Sequence, residues 1–393
     1  MRLPAGFVAS GVRSGVRKSR PDLALVVCEK GATAAALFTR NRFPAAPVVL
    51  SRAALRQSGG RVHAAVVNSG CANAITGREG AEAARRVRRR AAELVRCRPE
   101  EVFLASTGVI GVLLPDARIR AALPAAVARL SSGGLEAASH AILTTDVGPK
   151  VAAAGFRAGN KRGRVVGFAK GAGMIHPDMA TMLAFILTDA AATPAYLKAA
   201  LRRAADESFH AISVDGDTST NDTVLLLASG HPAAPELDGD DDAADFERAL
   251  TEVCRELAWK IVRDGEGAIR VMEVTIEGAA SVREAKLAAH AVATSPLVKT
   301  ALHGGDPNWG RILAAVGRSG ARVAPARARL AVNGLCLVEG GTPTAYAERE
   351  AAKAFARERV PIAVHLGAGS ASARILTSDL GHDYISLNAD YRS

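Results

Sequence analysis

Apolar residues recur along this chain with two different periods. The short runs Ala24–Val27, Ala64–Val67 and Val102–Leu104 are bounded by polar residues or glycine and predict strands. The continuous run Leu183-Ala184-Phe185-Ile186-Leu187 reads as a buried strand. Elsewhere the period is helical. Phe246, Leu250, Val253, Leu257 and Ile261 recur at spacings of 4, 3, 4 and 4 and predict a helix from about Ala243 to Val262. Ala81 to Cys97 reads as a second helix. Thr193-Pro194, a capping residue followed by proline at the first helical position, opens a third that runs through about Ala205.

After Val262 the chain turns at Asp264-Gly265-Glu266-Gly267, and Ile269 to Ile276 reads as a strand. The acidic stretch Glu236–Asp242 reads as a surface loop and a poor metal site. From about Ser295 to the end, a short helix, the loop His303–Arg311 and further strands form a third region. Strands and helices intermingle throughout, so the class is α/β or α+β. The pattern does not choose the layer order.

Length and composition narrow the classes. At about 150 residues per domain, 393 residues suggest two or three domains. Apolar residues make up 49% and charged residues 23%, an ordinary globular balance. The longest uncharged stretches, such as Thr223–Pro235, are too short and broken to span a bilayer. Cys28, Cys71, Cys97, Cys254 and Cys336 are scattered without a CxxC pair, which argues against a disulfide framework and a zinc site.

Charge is uneven. Residues 1–180 hold 28 Lys+Arg against 11 Asp+Glu, whereas residues 181–393 hold 22 against 28. The densest basic cluster, Arg85, Arg86, Arg88, Arg89 and Arg90, suits a helix with a solvated arginine face. It also admits a nucleic-acid-binding reading, which the 4% aromatic content and the lack of an RNP-like motif oppose.

One segment has unusual chemistry. Lys170-Gly171-Ala172-Gly173 leads through His176-Pro177-Asp178-Met179 to Ala180-Thr181 and then into the apolar run. It is not a phosphate loop, because Lys170 precedes the glycines. Read as structure, it is a loop entering a buried strand. Read as chemistry, the Thr181 hydroxyl attacks the carbonyl of Ala180, and water then cleaves the ester. The freed Thr181 would carry nucleophile and base together. An α-amine titrates near ~8, so about a tenth of it is neutral at pH 7.

Two further segments matter. Ala105–Gly111 carries Thr107-Gly108, where a hydroxyl beside a glycine N–H makes either a strand-ending turn or a two-donor oxyanion hole. Asp215–Asp222 looks like a calcium loop but has Thr220 at position 6 and Leu226 at position 12, so it reads as a polar loop held by its own side chains.

Together these segments resemble the ornithine acetyltransferase (ArgJ) family. The resemblance rests on Asn68–Ala74, Ser106–Gly111, Thr144-Thr145-Asp146, Lys170–Leu183, Val214–Thr223, Asp306–Arg311 and Asn388–Ser393, which follow the family's order along the whole chain. It implies a DmpA/ArgJ-like fold, an αββα sandwich with a smaller α+β C-terminal domain. Cleavage between Ala180 and Thr181 would give chains 1–180 and 181–393, assembled as α2β2. The corresponding divisions are 1–180, 181–290 for the rest of the sandwich, and 291–393 for the smaller domain. Pro4-Ala5-Gly6-Phe7 meets the family's beginning and leaves no room for a transit peptide, so the expected compartment is the cytoplasm.

The resemblance also implies the reaction. Thr181 takes the acetyl group of N2-acetylornithine, Thr107 and Gly108 stabilise the oxyanion, and glutamate receives the acetyl group in a second half-reaction. The result is ping-pong kinetics without metal or cofactor. Substrate-binding positions map onto Thr144, Lys170, Thr181, Glu266, Asn388 and Ser393. Lys170 suits a carboxylate and would ease deprotonation of the new amine; Glu266 suits a substrate ammonium. Asp178 and Ser393 depart from the family's usual asparagine and threonine. No residue chooses whether acetyl-CoA is also a donor. A DmpA-type aminopeptidase, with water as acceptor, is the alternative within the fold. Membrane and nucleic-acid partners are not expected.

Overall fold

The computed structural model describes residues 1–176, 182–237 and 240–390. The chain forms two compact units, Met1–His210 with Asp217–Ile261, and Ala211–Gly216 with residues 262–390. In chain order the strands are β1 (Phe7–Val12), β2 (Leu23–Phe38), β3 (Arg61–Cys71), β4 (Val102–Val109), β5 (Lys150–Ala158), β6 (Lys161–Lys170), β7 (Leu183–Thr188), β8 (Ile212–Ser213), β9 (Thr223–Ala228), β10 (Val271–Ala279), β11 (Arg329–Val332), β12 (Leu335–Glu339), β13 (Thr342–Pro343), β14 (Arg359–His365) and β15 (Ala371–Ser378). The helices are α1 (Ala46–Gln57), α2 (Gly77–Val95), α3 (Asp116–Ala128), α4 (Leu135–Ala141), α5 (Pro194–Asp206), α6 (Asp240–Arg263), α7 (Val282–Ala293), α8 (Pro296–Gly304), α9 (Trp309–Gly317), α10 (Glu348–Phe355) and α11 (His382–Asp390). The mixed α/β class expected from the sequence is the class observed.

The first unit is built on an eight-stranded sheet in the order β4-β3-β2-β9-β7-β6-β5, with β1 paired to β2 off this path. Side chains alternate faces along a strand, and here both faces are covered. Leu23, Leu25, Val27, Ala64, Val66, Val102 and Leu104 pack against Ala83, Val87 and Ala91 of α2 and Ile119 and Leu123 of α3. The intervening Ala24, Val26, Ala65, Val67, Phe103 and Ala105 pack the other way, with Leu135, Ala138 and Ala141 of α4 and Phe168 and Phe185 of β6 and β7.

That double burial explains why these strands read as unbroken apolar runs rather than alternating ones. On α6, Val253 and Leu257 press so closely on β6 that a Cβ added at Gly167 would lie 2.9 and 2.8 Å from them. Only glycine lets the helix approach to that depth.

The second unit holds a seven-stranded sheet, β13-β12-β11-β14-β10-β15-β8. Met272, Val274 and Ile276 of β10 face Ala285, Ala288, Ala289 and Val292 of α7 in its core.

One boundary stands where its capping pair predicts it, and three others differ from the apolar pattern. Helix α5 starts at Pro194, with Thr193 Oγ1 accepting from the Tyr196 N–H at 3.2 Å. Helix α6 begins at Asp240, inside the acidic stretch read as a loop. The acidic stretch thus runs into the helix rather than ending before it. Helix α2 begins at Gly77, four positions before Ala81, and the strand read as Ile269–Ile276 runs from Val271 to Ala279. Among the described residues no helix is long and apolar enough to cross a membrane.

Candidate active site

The parallel strands β3 and β4 end together, and the pairing slips at that end. Cys71 faces both Thr107 and Val109 across the irregularity. Gly108 sits at φ +125°, and a Cβ there would lie 2.4 Å from the Gly70 carbonyl carbon. Only glycine serves at a position with both constraints. Side chains lock the slip in place: Ser106 Oγ donates to Asn68 Oδ1 at 2.5 Å, and Asn68 Nδ2 donates to the Cys71 carbonyl at 2.9 Å. Thr107 is buried at the end of this braced segment.

Lys170 closes β6 and pairs directly with Leu183, the first residue of β7. It is buried, and its Nζ donates to Thr107 Oγ1 at 3.4 Å. The sheet therefore brings the Thr107-Gly108 segment and Lys170 together, although 63 positions separate Lys170 from Thr107.

Buried carboxyls support them. Asp146 Oδ1 accepts from Lys150 Nζ at 2.7 Å and from the Gly171 N–H at 2.6 Å, while Oδ2 accepts from the Thr144 N–H at 2.9 Å. Burial alone would raise this carboxyl. The charges of Lys170 and Lys150, with those hydrogen bonds, hold it well below the usual carboxylate range. Thr144, one of the expected substrate positions, is thus fixed by Asp146 and by Arg17, whose guanidinium donates to the Thr144 carbonyl at 3.3 Å.

On the other side, Asp222 at the head of β9 is fully buried. Its Oδ1 accepts from the Met182 N–H at 3.2 Å, and the Thr223 N–H donates to the Met182 carbonyl at 3.1 Å. Burial pushes the Asp222 carboxyl well up, against the opposing pull of the Met182 amide and the Lys170 charge.

The other expected positions lie elsewhere or outside the described residues. In the second unit, Glu266 follows α6 and Asn388 stands on α11; Asn388 Nδ2 donates to Glu266 Oε2 at 2.8 Å. The carboxylate and amide carried over from the resemblance are therefore mutual partners. Ala180, Thr181, Ser393 and the departure at Asp178 lie outside the described residues.

The sequence reading missed the support behind the site: Asp146 as its hub, Lys150, Asn221 and Asp222. The Asp215–Asp222 stretch does contain local hydrogen bonds, such as Thr220 Oγ1 to Asn221 Oδ1 at 2.6 Å. It is not self-contained, because Asn221 Nδ2 donates to the carbonyls of Ala72 and Ser106 at 2.7 and 2.8 Å. The available signal was position: Asn221-Asp222 directly precedes the buried run Thr223–Ala228, where a polar side chain needs a partner. The arginine cluster makes surface contacts, Arg85 with Glu82 and Arg90 with Glu93, while Arg86 forms a forked pair with Asp116.

A cavity of about 320 Å³ lies at the opposite ends of β3 and β9, where they meet the middle of β2, bordered by Thr33, Arg61, Thr193 and Glu236. None of the candidate residues borders it.

Comparison with known proteins adds a second, independent line. The family model described as the ArgJ family matches residues 8–393. The arginine biosynthesis bifunctional protein ArgJ of Geobacter sulfurreducens is 48% identical over 99% of this chain and 99% of its own length. That of Geobacillus stearothermophilus is 43% identical over 99% of this chain and 95% of its own. Among solved structures, the arginine biosynthesis bifunctional protein ArgJ of Bacillus halodurans superposes with a TM-score of 0.51 at 40% identity, covering 53% of this chain and 98% of that one. With a family model spanning nearly its whole length and relatives this similar from end to end, the chain belongs to the ArgJ family.

Proposed function

We propose that this chain is an acetyltransferase of arginine biosynthesis that cuts itself between Ala180 and Thr181 and then moves an acetyl group from N2-acetylornithine to glutamate. The observation that carries the reading is the convergence of Thr107-Gly108 and Lys170 beside the head of β7, the strand that begins two residues after Thr181.

In the first step the Thr181 hydroxyl adds to the Ala180 carbonyl and the Ala180–Thr181 amide breaks. The hydroxyl proton passes to the departing amine. Water hydrolyses the resulting ester, leaving a carboxylate on Ala180 and a free amine and hydroxyl on Thr181. In transfer, the Thr181 amine takes the hydroxyl proton as oxygen attacks the acetyl carbonyl of N2-acetylornithine. Thr107 and the Gly108 N–H meet the developing oxyanion. Ornithine leaves with that proton; the amine of glutamate then attacks the acetyl carbonyl, the ester bond to Thr181 breaks, and a proton from that amine returns through the Thr181 amine to the freed hydroxyl oxygen.

Lys170 serves as a buried cation for a substrate carboxylate and keeps the new amine deprotonated. Thr144, with Glu266, Asn388 and Ser393, completes the substrate contacts, Glu266 facing the ammonium. One amide replaces another, so the exchange needs no resident cofactor; acetyl-CoA would enter only as an additional donor. The two products of the cut would assemble as α2β2 in the cytoplasm.

Intact mass under denaturing conditions tests this reading. Wild type should give two fragments, the second beginning Thr-Met-Leu-Ala-Phe, and Thr181→Ala a single chain. Incubation with N2-acetylornithine should yield N-acetylglutamate when glutamate is present. A single uncut chain from folded wild type would sink the self-cleaving nucleophile, and free acetate as sole product would point to water as acceptor.

A further inference from the structure

Two neighbouring side chains hold together the two strand ends on which the proposed chemistry depends. The β7–β9 ladder is parallel and begins at Leu183 opposite Thr223. Beyond that point the Met182 N–H has no strand partner in the ladder, and the Asp222 side chain supplies the acceptor instead, at 3.2 Å. The Thr223 N–H returns a bond to the Met182 carbonyl, so residue 182 is held at both its N–H and its C=O. Met182 is the residue that follows Thr181 in the sequence. The preceding residue, Asn221, places its amide on the carbonyls of Ala72 and Ser106. Ser106 is the neighbour of Thr107. A single dipeptide therefore reaches the amide behind the nucleophile with one side chain and the oxyanion segment with the other.

The remaining Asp222 oxygen, Oδ2, is buried with no hydrogen-bond partner among the described residues.

We propose that Asp222 is a positioning residue for the self-cleavage, holding Met182, the residue that follows the proposed nucleophile in sequence, in place beside the segment that Asn221 ties to Ser106. The proposal rests on the reading of Thr181 as the nucleophile. What it requires of Asp222 is an acceptor at the Oδ1 position, rather than a charge. Two substitutions separate these properties. Asp222→Asn keeps the length and an amide oxygen that accepts from the Met182 N–H but removes the ionisable carboxyl. Asp222→Glu keeps the carboxyl and displaces it by one methylene.

Chains synthesised in a cell-free system and sampled over time by intact mass would report the cleavage rate, with folding checked by circular dichroism. Asp222→Asn should cut within about threefold of wild type. Asp222→Glu should be slower by about tenfold or more, the usual penalty for a small misplacement of reacting groups. Equal wild-type rates for both variants would overturn the proposal. So would the reverse order, a fast Asp222→Glu and a slow Asp222→Asn, which would assign Asp222 a charge or proton-donor role. Thr181→Ala runs alongside: an uncut wild type fails the Thr181 reading itself, whereas a cut wild type with an uncut Thr181→Ala leaves Asp222 alone under test.

Discussion

Lys170 in the first unit and Lys299 in the second are each 3% exposed, yet their surroundings differ in kind. Lys299, on α8, donates to the carbonyls of Val214 at 2.7 Å and of Ser378, and to the hydroxyls of Thr377 at 3.1 Å and Ser378 at 3.4 Å. Every one of those acceptors is neutral. Burial lowers its pKa to about 8, with Asp215 and Asp379 pulling the other way through charge alone. Lys170 instead stands within the field of two buried carboxyls, Asp146 and Asp222, and touches the hydroxyl of Thr107. A buried ammonium surrounded by backbone oxygens closes a fold. A buried ammonium between carboxyls and a hydroxyl at a strand end keeps its charge among ionisable neighbours, the setting that the proposed substrate role of Lys170 calls for. The comparison teaches that burial alone does not mark a site; the identity of the neighbours does.

The largest effect that would sharpen this contrast is on activity. Lys170→Met should reduce acetyl transfer or self-cleavage by about a hundredfold or more, the range seen when a single electrostatic stabiliser is removed. Purified protein assayed for both steps checks it, and wild-type rates for both would erase the distinction between the two lysines. A smaller effect, on stability instead, is expected at the other lysine. Lys299→Met leaves the Val214 and Ser378 carbonyls without their donor and should cost on the order of 1–3 kcal/mol in denaturant unfolding. The transfer rate of the folded variant should stay near wild type.

The smallest effect concerns pH. Lys299 is lowered in the folded protein to about 8, while an unfolded lysine titrates near ~10.4. Between those values the unfolded chain binds more protons, so this residue's contribution makes stability rise with pH across that window. The cost of the buried charge is present in full below about pH 8 and is relieved as pH climbs toward ~10.4. The stability difference between wild type and Lys299→Met should therefore change in favour of wild type from pH 7.5 to 10. A difference that stays flat with pH would mean that Lys299 titrates as it does unfolded.

Much of the scaffold was legible because its causes are local. Five apolar residues at helical spacing put α6 on its stripe, and Thr193-Pro194 marked the start of α5 to the residue. β7 was legible as a continuous apolar run because both of its faces are covered. β2 was only partly so: four residues were visible of the sixteen in Leu23–Phe38, since its pairing with β3 slips between Val27 and Ala32 and breaks the pattern there. The Thr107-Gly108 turn and Lys170 stood out as chemistry, but not their meeting, which follows from strand order rather than from any spacing. Asn221 and Asp222 were read as filling their own loop. Their partners, Ala72, Ser106 and Met182, come from distant stretches, and position in the sequence signals that such side chains need partners without saying which distant groups supply them.

The strand order has one more consequence. In the path β4-β3-β2-β9-β7-β6-β5, the strands β9 and β7 lie between β2 and β6. A break after Ala180 assigns β2 and β6 to one fragment and β7 and β9 to the other. The second fragment is then a wedge driven into the first, held along one margin by β2 and along the other by β6. Neither product could diffuse away without unzipping both margins, so the nick would alter covalent connectivity while leaving the architecture interlocked. In a gel run under native conditions the two pieces should travel as one body, and only denaturant should reveal that the chain had been divided.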